Sequence, residues 1–398
     1  MNTQEVVATL QPGDGQAERI AVDTTRGSLI HWLIRRRPDG RPISTGATAF
    51  LVVALGAYVP IVIAAWLGGL PLLHPTDAVH LPLFYDTNTA WMCLVSLPTL
   101  LVLTVRDQRA LDEALSRAQD DGVIRAHEGA AEQLKAKYEK VFLRLNVFSQ
   151  VLGLAAGIAL AAANYSVMRN PKLAPWGSPS GVIQPAGYYM LAVVVVLYAL
   201  VTIYIFRSAG FVAFLRGMVK KSDVDMLPLH PDACGGLRPM GDLGLRNQYV
   251  LTVFGINLIF LAYVTQTYLG DLGLMQFLVA LGAAAYLILG PLVFLGPLLP
   301  FRGGMLDAKR RLLRPVAERL RLELSKVEGN LAGGVISKQD EELIDRLQKL
   351  GTMIDSLPVW PFDAGTLRRF LTAYVLPVAG AIGLPLTDML IRARLHVP

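Results

Sequence analysis

Along this chain, stretches that are apolar on every face alternate with stretches in which charged residues recur every few positions. Runs of about 18 or more apolar residues are long enough to cross a bilayer as a helix, and six qualify: 47–70, 145–165, 187–206, 249–269, 274–299 and 370–391. A seventh run, 91–105, is shorter. Arg106 at its end can snorkel to the interface and lengthen it, so it counts as a further span. Within these runs the only formally charged residue is Asp388. The pattern predicts an all-α polytopic membrane protein with six or seven transmembrane helices and two cytoplasmic helical hairpins.

Between the spans the pattern changes from continuous to periodic. Residues 106–144 are mixed in charge, with Leu111, Leu115 and Ala118 on one helical stripe and a break near Asp120, Asp121 and Gly122; they read as the first hairpin. Residues 301–369 read as the second. Leu313, Ala317, Leu320, Leu324, Val327 and Leu331 make a heptad-like stripe, and a glycine-containing break precedes a second stripe at Leu343, Leu347, Leu350 and Ile354. Ser337 and Asp340 resemble a capping box at the start of that second arm, and Trp360, Pro361 and Phe362 mark the return to the interface.

The organisation expected is therefore a tail and interfacial segment over 1–45, spans one and two over 46–105, a hairpin over 106–144, and spans three and four over 145–206. A central polar loop over 207–248 follows, then spans five and six over 249–300, the second hairpin over 301–369, and the last span with the carboxyl end over 370–398. Residues 1–23 lack an apolar core, so a cleaved signal peptide is not expected. Leu29, Ile30, Trp32, Leu33 and Ile34 beside Arg35, Arg36 and Arg37 suit the headgroup layer.

Composition agrees with the pattern: 53% of the 398 residues are hydrophobic, 17% are charged, and the mean hydropathy is +0.44, against about 25% charged in soluble chains. Charge then sets an orientation. All of the 37 Lys and Arg except Arg169, Lys172, Arg392 and Arg394 fall in the tail or in segments that would share one side. The positive-inside rule puts those segments, and the amino terminus, in the cytoplasm of a bacterial-type inner membrane. The net charge of +6 then faces anionic lipid, and nucleic acid is not an expected partner. The expected partners are the bilayer, a second copy in a homo-oligomer, or a cytoplasmic protein. Cys93 and Cys234 fall on opposite faces, which excludes a bond between them.

Candidate chemistry is sparse. His230, Asp232 and Cys234 offer three metal-ligand types in the central loop. The same stretch also reads as turn chemistry, with Asp232 capping a turn and Gly235 and Gly236 free to adopt left-handed backbone. His74, Asp77 and His80 form a second triplet, in a proline-containing loop. No catalytic or nucleotide-binding motif is present, which weakens an enzymatic role without excluding it, and no cofactor is expected. Gly153 and Gly157 let a neighbouring helix come close, Gln150 and Asn257 are polar groups within spans, and these four are the candidates for helix packing or a pore. The preferred expectation is an oligomeric channel-like pore for an ion or small solute. The alternatives are a membrane-anchored sensor or scaffold whose hairpins bind a partner, and a membrane-embedded enzyme working at the cytoplasmic face.

Overall fold

The computed structural model describes residues 19–29, 46–77, 79–170, 175–225, 227, 230–269, 273–331 and 338–395, with side chains in the last helix described as far as residue 380. The interfacial segment from Ile30 to Arg37 and the Ser337 cap lie outside the described residues. The chain is 78% helical, and six helices are long and apolar enough to cross a membrane. It is a membrane-embedded, predominantly helical protein.

In chain order the elements are α1 (Gly46–Leu67), α2 (Thr87–Asp120), β1 (Ile124–Ala126), α3 (Ala130–Met168), α4 (Pro185–Val219), β2 (Ser222–Val224), α5 (Arg238–Val264), α6 (Gly273–Leu295), α7 (Leu299–Leu331), α8 (Lys338–Asp355) and α9 (Ala364–Leu395). The short run 91–105 belongs to α2. That helix begins at the Asp86 cap and widens into a π-turn over Met92–Ser96, ahead of Pro98, which offers no N–H to the preceding turn. A second π-turn, Thr265–Leu269, ends α5. The last helix continues unbroken past Gly380.

Charge ends the apolar runs without ending the helices. α4 continues past Arg207 to Val219, and α5 begins at Arg238, so the non-helical part of the predicted 207–248 loop is only 220–237. The described chain also departs from an all-helical pattern in a two-stranded sheet and two isolated bridges. β1 pairs antiparallel with β2, Ile124 opposite Val224, and so ties the turn after α2 to the turn after α4. Three-residue strands are too short to leave a period-two signal in the sequence.

Prolines inside helices explain much of the lateral packing. A proline cannot bond the carbonyl four residues earlier, and each of three such carbonyls accepts a hydroxyl from a neighbouring helix. Pro60 frees the Gly56 carbonyl, which accepts from Tyr189 at 2.8 Å. Pro291 frees that of Leu287, which accepts from Tyr374 at 3.0 Å. Pro377 frees that of Ala373, which accepts from Thr252 at 3.0 Å and Tyr286 at 3.4 Å.

Two large apolar clusters divide the molecule. One joins α1, α2, α3 and α4 to the loops at one end, where Trp176 and Leu81 are buried. The other gathers Ile20 and Val22, the far ends of α2, α3 and α4, both strands, and the starts of α5, α7 and α9. α7 and α8 lie antiparallel, with Lys309 paired to Asp355 at 2.8 Å and Val316 near Gly351. Their seam differs from the expected stripe. Ala317 is exposed and Leu324 is 46% exposed, while Glu323 turns inward and pairs with Arg319 at 2.8 Å and Lys326 at 3.1 Å.

Candidate functional site

The central loop folds around one carboxylate. Asp232 accepts the backbone N–H groups of Cys234 at 2.9 Å, Gly236 at 3.0 Å and Arg238 at 3.1 Å, and lies 2.7 Å from His230 Nδ1. Ala233, Gly235 and Gly236 all have positive φ, which aims successive N–H groups at the same acceptor. Burial alone would raise the Asp232 pKa, but these donors hold it below the usual carboxylate range. Burial, with the charges of Asp232 and Asp363, pushes the Cys234 thiol up to about 12. His230 Nε2 points to Asp121 at 3.8 Å, and Gly236 packs against Val123, so the loop docks on the turn after α2. Among the described residues no three His, Cys, Asp or Glu are placed together to hold a metal, and this includes both sequence triplets.

The most unusual chemistry lies where α2, α4 and α5 meet at the Lys- and Arg-rich end. Arg207 is 1% exposed and Asp107 2% exposed. Asp107 Oδ1 pairs with Arg246 Nη2 at 3.0 Å. That same Nη2 donates to the Leu103 carbonyl at 2.9 Å, and Arg207 Nη1 donates to the Thr104 carbonyl at 3.0 Å. Arg207 Nη2 reaches the Thr24 hydroxyl at 3.3 Å, and its guanidinium lies over the Phe211 ring. Tyr204 donates to Asn247 Oδ1 at 3.0 Å. Four polar atoms in this cluster, Asp107 Oδ2, Arg207 Nε, Arg246 Nε and the Thr104 hydroxyl, are buried without a hydrogen-bond partner among the described residues. Arg106 lies beside it against the start of α1, where a Cβ on Gly46 would meet its guanidinium at 2.7 Å.

From this cluster a stripe of small polar residues, interrupted by Leu100, follows the buried face of α2. Thr89, Cys93, Ser96, Leu100, Thr104 and Asp107 succeed one another at spacings of three and four, so they share one side of the helix. Ser96 and Thr104 are fully buried, and both hydroxyls lack a partner among the described residues. At the far end Asp86 is locked by the Thr89 N–H at 3.0 Å, the Thr89 hydroxyl at 2.7 Å and the Trp176 indole at 2.9 Å. The two aspartates lie roughly 30 Å apart at the helical rise of about 1.5 Å per residue.

The other sequence candidates take up separate places. Gly153 and Gly157 meet α4: a Cβ there would lie 2.7 Å from the Ala199 carbonyl oxygen and 2.5 Å from that of Val195. Asn257 Nδ2 donates to Asn88 Oδ1 at 2.9 Å, between α5 and α2. Gln150 binds the amino-terminal segment through the Gly27 carbonyl at 2.8 Å and the Leu29 N–H at 3.0 Å. Sequence reasoning passed over Asp107, Arg207 and Arg246 as flanks of spans. The available signal was the stripe itself, since Asp107 continues the spacing of Cys93, Ser96 and Thr104.

Compared with known protein families, curated proteins and solved structures, this chain matches none of them.

Proposed function

We propose that the protein conducts a small inorganic anion across a bacterial-type inner membrane along the buried face of α2. One observation carries this reading: the hydroxyls of Ser96 and Thr104, without a partner among the described residues, lead to a buried cluster in which Arg207 and Arg246 flank Asp107, with Asp23 of the amino-terminal segment also near Arg207. Hydroxyl donors replace part of an anion's hydration shell, and arginines attract it while repelling cations. The Lys- and Arg-rich end then lies in the cytoplasm, with α2 and α3 extending there as one helical hairpin and α7 and α8 as the other. Homo-oligomers of such bundles are part of the proposal. The test is halide efflux from proteoliposomes. Efflux that falls when Ser96 and Thr104 are both replaced by Val supports the path, and halide efflux unchanged by that double substitution rules it out.

A second reading, a membrane-anchored scaffold, is favoured by α7 and α8. Leu312, Leu322, Leu324, Leu350 and Met353 stay exposed on these otherwise charged helices, where a cytoplasmic partner could cover them. Replacing all five with Gln would then abolish partner capture while leaving efflux unchanged.

A further inference from the structure

The described residues before α1 form a strap over the arginine mouth. Thr24 is fully buried. Its N–H donates to Gln108 Oε1 at 2.8 Å, its hydroxyl contacts the same oxygen, and its carbonyl accepts from Asn146 Nδ2 at 2.9 Å. The Val22 carbonyl accepts from Gln108 Nε2 at 2.9 Å, the Arg26 carbonyl from Asn146 at 2.9 Å, and the Gly27 carbonyl from Gln150 at 2.8 Å. Arg19 pairs with Asp120 at 3.4 Å and Arg26 with Glu139 at 2.8 Å. Three amide side chains on α2 and α3 therefore supply most of the grip, and ion pairs at its rim add the rest.

This grip differs in kind from the apolar seams elsewhere. Side-chain amides bonded to backbone groups exchange readily for water, so a segment held this way opens at a lower cost than a packed helix. Only Ile20 and Val22 anchor it in the apolar cluster. The Thr24 hydroxyl, meanwhile, accepts from Arg207 Nη2, a donor that an anion would otherwise take.

We infer that residues 19–29 are an autoinhibitory strap, whose release uncovers Arg207 and the Thr104 end of the α2 stripe. This inference rests on the conduction reading and supplies its regulation. Two readouts keep the two claims separate. In a variant carrying Cys93→Ala, Cys234→Ser and Thr104→Cys, held in lipid nanodiscs, the new thiol is titrated with a small polar thiol reagent. The same reaction is run after adding Gln108→Ala and Asn146→Ala, which remove the amides gripping Val22, Thr24 and Arg26. Labelling about tenfold faster is expected in the released protein, with halide efflux from matching proteoliposomes rising in parallel. Should the pair not fold, Gln108→Ala alone removes the amide that grips Val22 and Thr24 and is read the same way. Labelling at an unchanged rate overturns the strap, as does faster labelling with unchanged efflux through a wild-type protein that conducts. Faster labelling with no efflux from either protein supports the strap as a cover and refutes the conduction path.

Discussion

Asp86 caps the start of α2 and Asp107 lies 21 residues further along the same chain segment, both buried, and the protein treats them in opposite ways. Asp86 is satisfied entirely by neutral donors: an amide, a hydroxyl and an indole. It caps α2 and fastens Trp176 to the bundle. Asp107 is paired instead with a charged partner, Arg246, close to Arg207, and keeps one oxygen without a partner among the described residues. A carboxylate whose bonding is complete is a structural post. One that shares buried charge with two arginines and retains an open position is a site where water or an ion can be held.

Removing one partner of a buried ion pair leaves the others uncompensated, so the largest effect is expected at Asp107. Asp107→Ala should cost about 3–5 kcal/mol, read as a shift in chemical unfolding in detergent, and the loss should shrink when Arg246 is replaced by Met in the same protein. If Asp107→Ala proves as mild as a surface change, the contrast with Asp86 fails.

At Asp86 the expected loss is smaller. Asp86→Ala removes a cap and leaves the Trp176 indole unpaired, for about 2 kcal/mol, and the burial of Trp176 can be followed by its fluorescence. The proline caps come next. Tyr189→Phe and Tyr374→Phe should each cost about 0.6–1.7 kcal/mol, the range measured for hydrogen bonds between membrane helices. A pair of silent substitutions would show that the freed carbonyls need no donor.

A third aspartate sharpens the comparison from outside the membrane. Asp232 is satisfied like Asp86, by neutral backbone donors, and its pKa is lowered on folding. Its contribution is therefore fully present above the ordinary carboxylate value of about 3.9, and it is lost as pH falls through the lower folded value. Protection of the Cys234, Gly236 and Arg238 amides against hydrogen exchange, taken relative to the intrinsic rate at each pH, should fall only at that acid extreme. Protection already lost near neutral pH would contradict the geometry. The smallest effect belongs to exposed pairs such as Asp345 and Lys349, 2.7 Å apart on α8, where Lys349→Ala should cost about 0.3–0.5 kcal/mol.

How much of this was legible beforehand depends on the range of the interaction concerned. Continuous apolarity is a local property, and a helix in lipid satisfies its backbone within itself, so the spans and the membrane setting follow from composition and run length alone. Glycine spacing on α3 likewise announced a close helix approach, although its partner, α4, could not be named from one helix. The inward turn of Glu323 was hidden because a charged residue beside a leucine stripe reads as solvent-facing. Which residues meet across the bundle was decided by the tertiary structure alone. Asp107, Arg207, Arg246 and Thr24 come from four separate segments, and each alone looks like an ordinary flank of a span or a tail residue. The strap, the ribbon between β1 and β2, and the hydroxyls that cap proline-freed carbonyls all rest on pairings between residues distant in the chain. Such pairings leave no periodic trace, because their energy exists only once the helices are side by side.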